Sequence, residues 1–137
     1  MFNKICLLLL LVISQTISAE TGRAPTADQV NAGKVLYQRY CVACHGENGV
    51  GEAPIPDTIR APGYFTAMPL DEQSHAWHHS DEQLQETILQ GLQRTQRMPA
   101  WKAVITPDQA ALLVAYIKSL WSPRIVACQG PRHMSCM

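Results

Sequence analysis

The sequence Cys41-Val42-Ala43-Cys44-His45 decides how the rest of the chain is interpreted. A Cys-x-x-Cys-His run is the attachment site of a c-type haem, in which each thiol forms a thioether with one vinyl group of the porphyrin. The spacing from Cys41 to His45 is about one helical turn, so both thiols and the imidazole approach the same side of the ring. We therefore predict one covalent haem c, attached through Cys41 and Cys44, with His45 as the proximal iron ligand.

A redox dithiol and half of a zinc site are the alternative interpretations of this motif. A thioredoxin-like dithiol would follow a strand in a βαβ unit, whereas the residues before Cys41 have a helical pattern. A structural zinc site would need a second pair of ligands at a suitable spacing, and the only later Cys/His group lies in the last ten residues. The sequence favours haem attachment.

A secretory leader is predicted at residues 1–19. Lys4 precedes nine apolar residues, 5–13, and the small residues Ser18-Ala19 give a cleavage point before Glu20. Nine apolar residues are too few for a bilayer span, which needs about 20, although an uncleaved anchor stays open as an alternative. We expect the protein in the periplasm, on the side of the membrane where haem is attached to this motif, with no stable membrane span in the mature chain.

Residues 20–122 are predicted to form a single domain, followed by a Cys-containing C-terminal tail, 123–137. Lys4 is the only charged residue of the leader. Without the leader, 118 residues remain, with 10 basic and 11 acidic side chains. This near-neutral charge disfavours nucleic acid or anionic lipid as a partner. A chain of this size has a modest core, to which a haem would add a large apolar body.

The residues before the motif have the pattern of a helix. It is predicted from about Thr26 to Cys44, with Thr26 or Asp28 as its cap. Gly33 lies inside this helix, although glycine costs a helix about 1 kcal/mol relative to alanine. That cost indicates close approach by another element at Gly33.

Two later stretches also begin with helix-capping residues. Ser80 and Gln83 have the spacing of a capping box, and the apolar residues of this helix are Leu84, Ile88 and Leu92. Thr106 precedes Pro107, which is favourable in a first helical turn; the apolar residues that follow are Leu112, Leu113, Tyr116, Ile117 and Leu120. Because no stretch alternates as strands do, we predict an all-α fold of three to four helices wrapped around the haem.

The chain resembles a class I c-type cytochrome over about residues 24–121. Besides the haem motif, the matching residues are Gly33, Tyr37, Gly46, Gly49, Gly51, Pro54–Pro56, Gly91, Met98-Pro99-Ala100-Trp101 and Tyr116. The resemblance implies that the first and last helices cross at Gly33, with Tyr37 and Tyr116 nearby. It also implies that a carbonyl of the proline-rich loop, with Pro56 as first choice, accepts a hydrogen bond from the ring of His45.

Met68 and Met98 are the two methionines that precede proline, and a methionine opposite His45 would raise the haem potential. Met98 lies 53 residues after His45, beyond a predicted helix, in a loop that could return across the distal face. Met68 lies only 23 residues after His45, with no predicted helix between them. The resemblance also selects Met98, so we predict Met98 as the distal ligand. Met68, a histidine or an open position are the alternatives.

Three histidines, His75, His78 and His79, stand just before the Ser80 cap. His75 and His79 are four residues apart and could share one face of a helical turn, whereas the adjacent His78 and His79 would point in different directions. A functional metal site is the alternative, but the sequence favours a polar surface loop.

Cys128 and Cys136 are the thiols that remain once the leader and the haem account for the others. A disulfide between them is the expected state in an oxidising compartment, and Gly130-Pro131 supplies a turn. A soft-metal site is the alternative, in which both thiolates and His133, Met134 or Met137 bind Cu(I). Inert free thiols are the third interpretation.

These features predict an electron carrier with redox protein partners and no catalytic residue. A haem enzyme or sensor would need an open or displaceable distal position. A haem-containing subunit whose tail binds copper or a partner is a further alternative. Three arginines are candidates to pair with the haem propionates, with ordinary surface salt bridges as the alternative: Arg60, Arg94 and Arg97.

Overall fold

The computed structural model describes residues 20–137, so the predicted leader lies outside the described residues. Within this range the regular structure is helical, with five α-helices: α1 Ala27–Tyr40, α2 Val42–His45, α3 Asp81–Gln90, α4 Pro107–Lys118 and α5 Pro123–Ala127. Short 3₁₀ segments occupy Glu47–Gly49, Ala76–His78 and Gly130–Ser135. No helix from residue 20 onward has both the length and the apolar character needed to cross a membrane. The predicted all-α fold class is confirmed.

Helices α1, α3 and α4 all begin with the same kind of capping box. The hydroxyl of the cap residue accepts the backbone N–H of a glutamine three residues later, and that glutamine side chain accepts the N–H of the cap. The pairs are Thr26 with Gln29, Ser80 with Gln83, and Thr106 with Gln109. The caps predicted at Ser80 and Thr106 are confirmed, and the first helix is capped by Thr26.

Two helices end earlier than the sequence pattern predicts. α1 ends before Cys41, whose φ of −118° departs from the helical value, and the chain resumes as α2. The helix predicted to reach Cys44 is therefore two consecutive helices. α3 ends at Gln90 and is followed by Gly91, whose φ of +72° is a conformation that glycine adopts without strain, so Leu92 lies in the following loop instead of on the helix.

α1 packs against α4 at Gly33. A Cβ atom on Gly33 would overlap the carbonyl oxygen of Leu112 and lie 2.9 Å from the Cβ atom of Tyr116. The rings of Tyr37 and Tyr116 pack beside this contact, with their centroids 4.8 Å apart. The close approach predicted from Gly33 is confirmed, and the buried core that surrounds it comprises Tyr37, Ile88, Ile105, Ala110, Leu113, Val114 and Tyr116.

Replacing Gly33 with alanine is expected to destabilise the protein. Glycine to alanine in an open helix gains about 1 kcal/mol, but here the new methyl group would force α1 away from α4, and overpacking of this kind costs about 1–3 kcal/mol. Denaturant unfolding measures the difference. Asn31→Ala, at an exposed position of α1, is the control and should stay within about 0.5 kcal/mol of wild type or gain slightly. A Gly33→Ala variant as stable as wild type would contradict the contact.

The C-terminal tail packs onto the domain through a second apolar cluster. Its buried members come from the tail, from the end of α4 and from the loop before α3: Ala76, Trp77, Ile117, Trp121, Val126 and Cys128. The indole N–H of Trp121 donates to the carbonyl of Leu70, 2.8 Å away, which fixes the indole ring inside the cluster. Residues 123–137 are thus folded against the rest of the chain.

A buried ion pair lies at the end of α4, beside this cluster. The side chains of Lys118 and Asp81 are 2 % and 0 % exposed, and the Nζ atom of Lys118 lies 2.9 and 3.1 Å from the two carboxylate oxygens. Lys118 also donates to the carbonyl of Glu20 at 2.9 Å. The amide of Gln129 donates to Asp81 at 2.6 Å and to the carbonyl of His79 at 3.0 Å. This pair therefore joins α3, α4, the tail and the first described residue.

Candidate haem site

The residues of the predicted haem site line one cavity of about 620 Å³. Cys41, Cys44 and His45 reach it from the junction of α1 and α2, and Met98 reaches it from the loop before α4. Apolar residues of α3 and α4 also line the cavity: Leu84, Ile88, Leu113 and Ile117. The volume lies within the range of about 300–1,000 Å³ that is typical of ligand and cofactor pockets.

Cys41 and Cys44 are free, half-buried thiols at the edge of this cavity. Burial, with a smaller contribution from Cys44, raises the pKa of Cys41 to about 11. A redox dithiol depends on a thiol whose pKa is lowered, so the environment of Cys41 disfavours that interpretation. Two free thiols beside an imidazole in an apolar cavity are the side chains that a covalent haem requires.

His45 is oriented by a hydrogen bond from its ring. The Nδ1 atom lies 3.0 Å from the carbonyl oxygen of Met68, so Nε2 is the ring nitrogen available to an iron. Burial lowers the pKa of His45, while the Met68 carbonyl and the charge of Glu52 act in the opposite direction. The balance favours the neutral imidazole, which is the form that binds a metal.

The prediction that Pro56 supplies this carbonyl is wrong in the structure. The carbonyl of Pro56 accepts the backbone N–H groups of Ile59 and Arg60, at 3.0 and 3.1 Å, and so closes its own turn. Residues 67–69 instead lie directly over Gly51, where a Cβ atom would stand 2.6 Å from the nitrogen of Pro69. Because Gly51 has no side chain, this segment approaches closely enough to bring the Met68 carbonyl to His45.

The segment that carries Met98 is fixed against the end of α3. The carbonyl of Met98 accepts the N–H of Leu92 at 3.0 Å, and Trp101 donates to the carbonyl of Ile88 at 3.2 Å. A Cβ atom on Gly91 would lie 2.6 Å from the Met98 carbonyl, so a larger residue would push this segment away. Met98 is half-buried and packs on the main core. Backbone hydrogen bonds to the end of α3 therefore hold Met98 at the cavity.

The three candidate arginines all line the cavity but have different partners. Arg60 pairs with Asp57 at 2.7 Å, and Arg97 pairs with Glu52 at 2.6 Å. Arg94 contacts no carboxylate within residues 20–137; its Nη2 atom lies 3.7 Å from the sulfur of Met68. Arg94 is thus the one of the three whose charge is left without an acidic partner in the described part of the chain.

The family described as "Cytochrome C oxidase, cbb3-type, subunit III" matches residues 28–117, which include the whole haem motif and Met98. The chain belongs to this family. Membership confirms the resemblance to class I c-type cytochromes and identifies a haem c electron-transfer domain. No solved structure gives a significant match.

The chain is similar to parts of longer proteins. It is 28 % identical over 109 residues to the cbb3-type cytochrome c oxidase subunit CcoP of Azospirillum sp. (strain B510), covering 79 % of this chain and 34 % of that protein. It is 31 % identical over 88 residues to subunit FixP of Bradyrhizobium diazoefficiens, covering 64 % and 26 %. The quinohemoprotein alcohol dehydrogenase ADH IIB of Pseudomonas putida is 29 % identical over 92 residues, covering 67 % and 11 %. The chain thus spans about a third or less of the length of these relatives.

Of the three histidines before α3, His78 contacts a fourth, His133 of the tail, which lies beyond the residues matched by the family. The rings of His78 and His133 are stacked with centroids 4.5 Å apart, and those of His75 and His79 are 5.5 Å apart. Burial and the neighbouring imidazoles lower the pKa of His78. No three His, Cys, Asp or Glu side chains in the described range are placed to share a metal ion. The contact with His133 has no sequence signal, because it joins segments that are distant along the chain.

Cys128 and Cys136 are joined by a disulfide in the structure, with Cα atoms 6.0 Å apart. The loop between them folds as the 3₁₀ segment Gly130–Ser135, in which the Nδ1 atom of His133 lies 2.6 Å from the carbonyl oxygen of Gly130. In this arrangement neither sulfur is a thiolate, so the Cu(I) site considered from the sequence has no cysteine ligands.

Proposed function

We propose that the chain is a periplasmic single-electron carrier with one haem c, attached through Cys41 and Cys44 and ligated by His45 and Met98. The observation that carries this proposal is that all four residues line the same apolar cavity. A haem held by these residues would supply one-electron chemistry at its iron. The role of the protein chain is to hold the two ligands rigidly and to exclude water from the iron.

Met98 is preferred to Met68 as the distal ligand because of where the two backbones are held. The carbonyl of Met68 is bound to the ring of His45, which places this residue beside the proximal ligand, and its sulfur faces Arg94. Met98 comes from a different segment, which is fixed on α3. A thioether opposite the imidazole would favour ferrous iron and keep both oxidation states low-spin.

Arg94 is proposed to bind a haem propionate. Arg60 and Arg97 are already paired with carboxylates, whereas Arg94 is on the cavity without one in the described chain. A guanidinium binds a carboxylate through paired N–H groups, so a propionate is a suitable partner for Arg94.

Redox proteins are proposed as donor and acceptor, and the leader 1–19 is proposed to direct the chain to the periplasm. A disulfide between Cys128 and Cys136 agrees with an oxidising compartment. The relatives are named as oxidase subunits and as a quinohemoprotein alcohol dehydrogenase, which supports exchange of electrons with redox enzymes. Nucleic acid is not proposed as a partner.

A haem-containing subunit of a larger redox complex is the second candidate. The family itself favours it, because the family description and the relatives CcoP and FixP name oxidase subunits. The folded tail would then be part of a contact with another subunit, since Met134 and Met137 are 68 % and 73 % exposed. The two candidates share the same haem site and differ in whether the chain stays bound to its partner.

The visible spectrum of the purified ferric protein, produced together with a haem-attachment system, tests the site. We expect a low-spin spectrum with the weak far-red band of a methionine sulfur on ferric haem, and one haem that stays on the chain after denaturation. A high-spin or bis-imidazole spectrum would contradict methionine ligation. Haem released on denaturation would contradict thioether bonds at Cys41 and Cys44.

A further inference from the structure

Glu52 lies where the segments of the two proposed axial ligands meet. Its Oε1 atom accepts from Nη2 of Arg97, and its Oε2 atom accepts from Nη1 of Arg97, both at 2.6 Å. Oε2 also accepts the backbone N–H of Ala67 at 2.8 Å. One carboxylate therefore holds a side chain from one segment and the backbone of another.

Each partner of Glu52 directly precedes a residue that matters for ligation. Ala67 precedes Met68, whose carbonyl oxygen lies 3.0 Å from the ring of His45. Arg97 precedes Met98 in the sequence. Glu52 itself is on the loop that follows the haem motif. The contacts thus connect the segment that orients the proximal ligand with the segment that carries the proposed distal ligand.

Arg97 is fixed by more than its pair with Glu52. Its Nη1 atom also donates to the carbonyl of Phe65 at 2.9 Å, and its guanidinium lies 4.5 Å from the centre of the Tyr64 ring. The side chains of Arg97 and Glu52 are 30 % and 29 % exposed, so the pair is partly shielded from water. A two-pronged contact with this support is stronger than an ordinary surface pair.

We propose that Glu52 and Arg97 are positioning residues that hold Met98 within reach of the iron while they fix the Met68 carbonyl on His45. This proposal rests on the proposed His45/Met98 ligation. Neither side chain touches the reacting centre, and both act through their neighbours in the sequence. Loss of the pair should release the Met98 segment while leaving His45 and the two thioether bonds in place.

Competition by imidazole for the distal position of the ferric holoprotein measures this effect. Glu52→Gln keeps the size of the side chain and one acceptor but loses the charged, two-pronged contact. We expect it to bind imidazole about tenfold more tightly than wild type and to weaken the far-red band, because bonds to a charged group are lost at a partly exposed site. Arg97→Lys, which keeps the charge but not the fork, should change in the same direction.

Asp57→Asn is the matched control, because it removes the exposed carboxylate partner of Arg60, which also lines the cavity. Its imidazole affinity should equal that of wild type. A merely structural role of Glu52 would lower the denaturant midpoint without changing imidazole affinity, so both are measured. An imidazole affinity of Glu52→Gln and Arg97→Lys within twofold of wild type would overturn the proposal. Absence of the far-red band in wild type would instead overturn the ligation on which it rests.

Discussion

Replacing Met98 with alanine is expected to remove the far-red band and to lower the reduction potential on the order of 100 mV or more. Axial ligands set haem potentials over a range of about 0.8 V, and loss of the thioether removes the ligand that favours ferrous iron. Because Met98 lies on the cavity but is fixed by its backbone to α3, the rest of the site should survive the change. Visible spectra and a potentiometric titration of the holoprotein measure both effects.

Met68→Leu is the matched control for this experiment. Met68 contacts His45 through its backbone carbonyl, which leucine also provides, so the far-red band and the potential should stay close to those of wild type. A band that survives in Met98→Ala, or one that is lost only in Met68→Leu, would show that the distal ligand has been assigned to the wrong methionine.

Replacing Lys118 with methionine is expected to cost about 3–5 kcal/mol of folding free energy, as is typical when one partner of a buried ion pair is removed. Asp81 is fully buried and would keep a hydrogen bond from Gln129 but lose its counter-charge. The carbonyl of Glu20 would also lose the bond from Lys118 and keep the one from the N–H of Arg23. For a domain of this size the loss is a large part of the total stability. Denaturant unfolding of the holoprotein is the measurement.

Lys102→Met provides the control for a lysine at the surface. The side chain of Lys102 is exposed and bonds that of Gln90 at the surface, so its replacement should change stability by about 0.5 kcal/mol or less. The double variant Lys118→Met, Asp81→Leu should recover much of the loss, because the unpaired charge is gone. A cost below about 1 kcal/mol for Lys118→Met alone would show that the pair contributes little.

The Lys118–Asp81 pair also affects the result of any experiment that removes the tail, because the tail supplies one of its hydrogen-bond partners. Truncation after Pro123 deletes Gln129, which bonds Asp81 and the carbonyl of His79, and also deletes Val126 from the second apolar cluster. A truncated protein would therefore be less stable whether or not the tail binds a partner. Comparison with a Gln129→Ala variant separates loss of packing from loss of a partner contact.

The helix starts could be predicted from the sequence because their signals are local. Ser80 with Gln83, and Thr106 with Pro107, are patterns within three residues, and the bonds that they form lie within one helical turn. Gly33 was informative for a related reason: glycine inside a helix has a known cost, so its presence indicated a close contact. The partner of that contact came from the family resemblance, not from the local pattern.

The contacts around the candidate site could not be predicted in this way because they join distant segments. The carbonyl that faces His45 depends on the path of residues 67–69 across Gly51, and the sequence shows no signal for that path. Glu52 and Arg97 are likewise separated by a loop and a helix. A charged residue in a loop has many available partners, and only the folded chain selects one.

The capping boxes of α1, α3 and α4 have a consequence for acid tolerance. Each box is closed by glutamine, not glutamate, so the bonds within these three boxes involve no group that gains or loses a proton as pH changes. Acid instead affects contacts made by carboxylates. Glu52 is an example, because its pKa is lowered to about 2, chiefly by its bonds to Arg97. The stabilisation from those bonds is fully present above the pKa of the unfolded carboxyl and is lost as pH falls below it towards about 2. Acidification would therefore loosen the contact of Glu52 with the loops around the cavity, while the glutamine bonds of the three capping boxes stay in place.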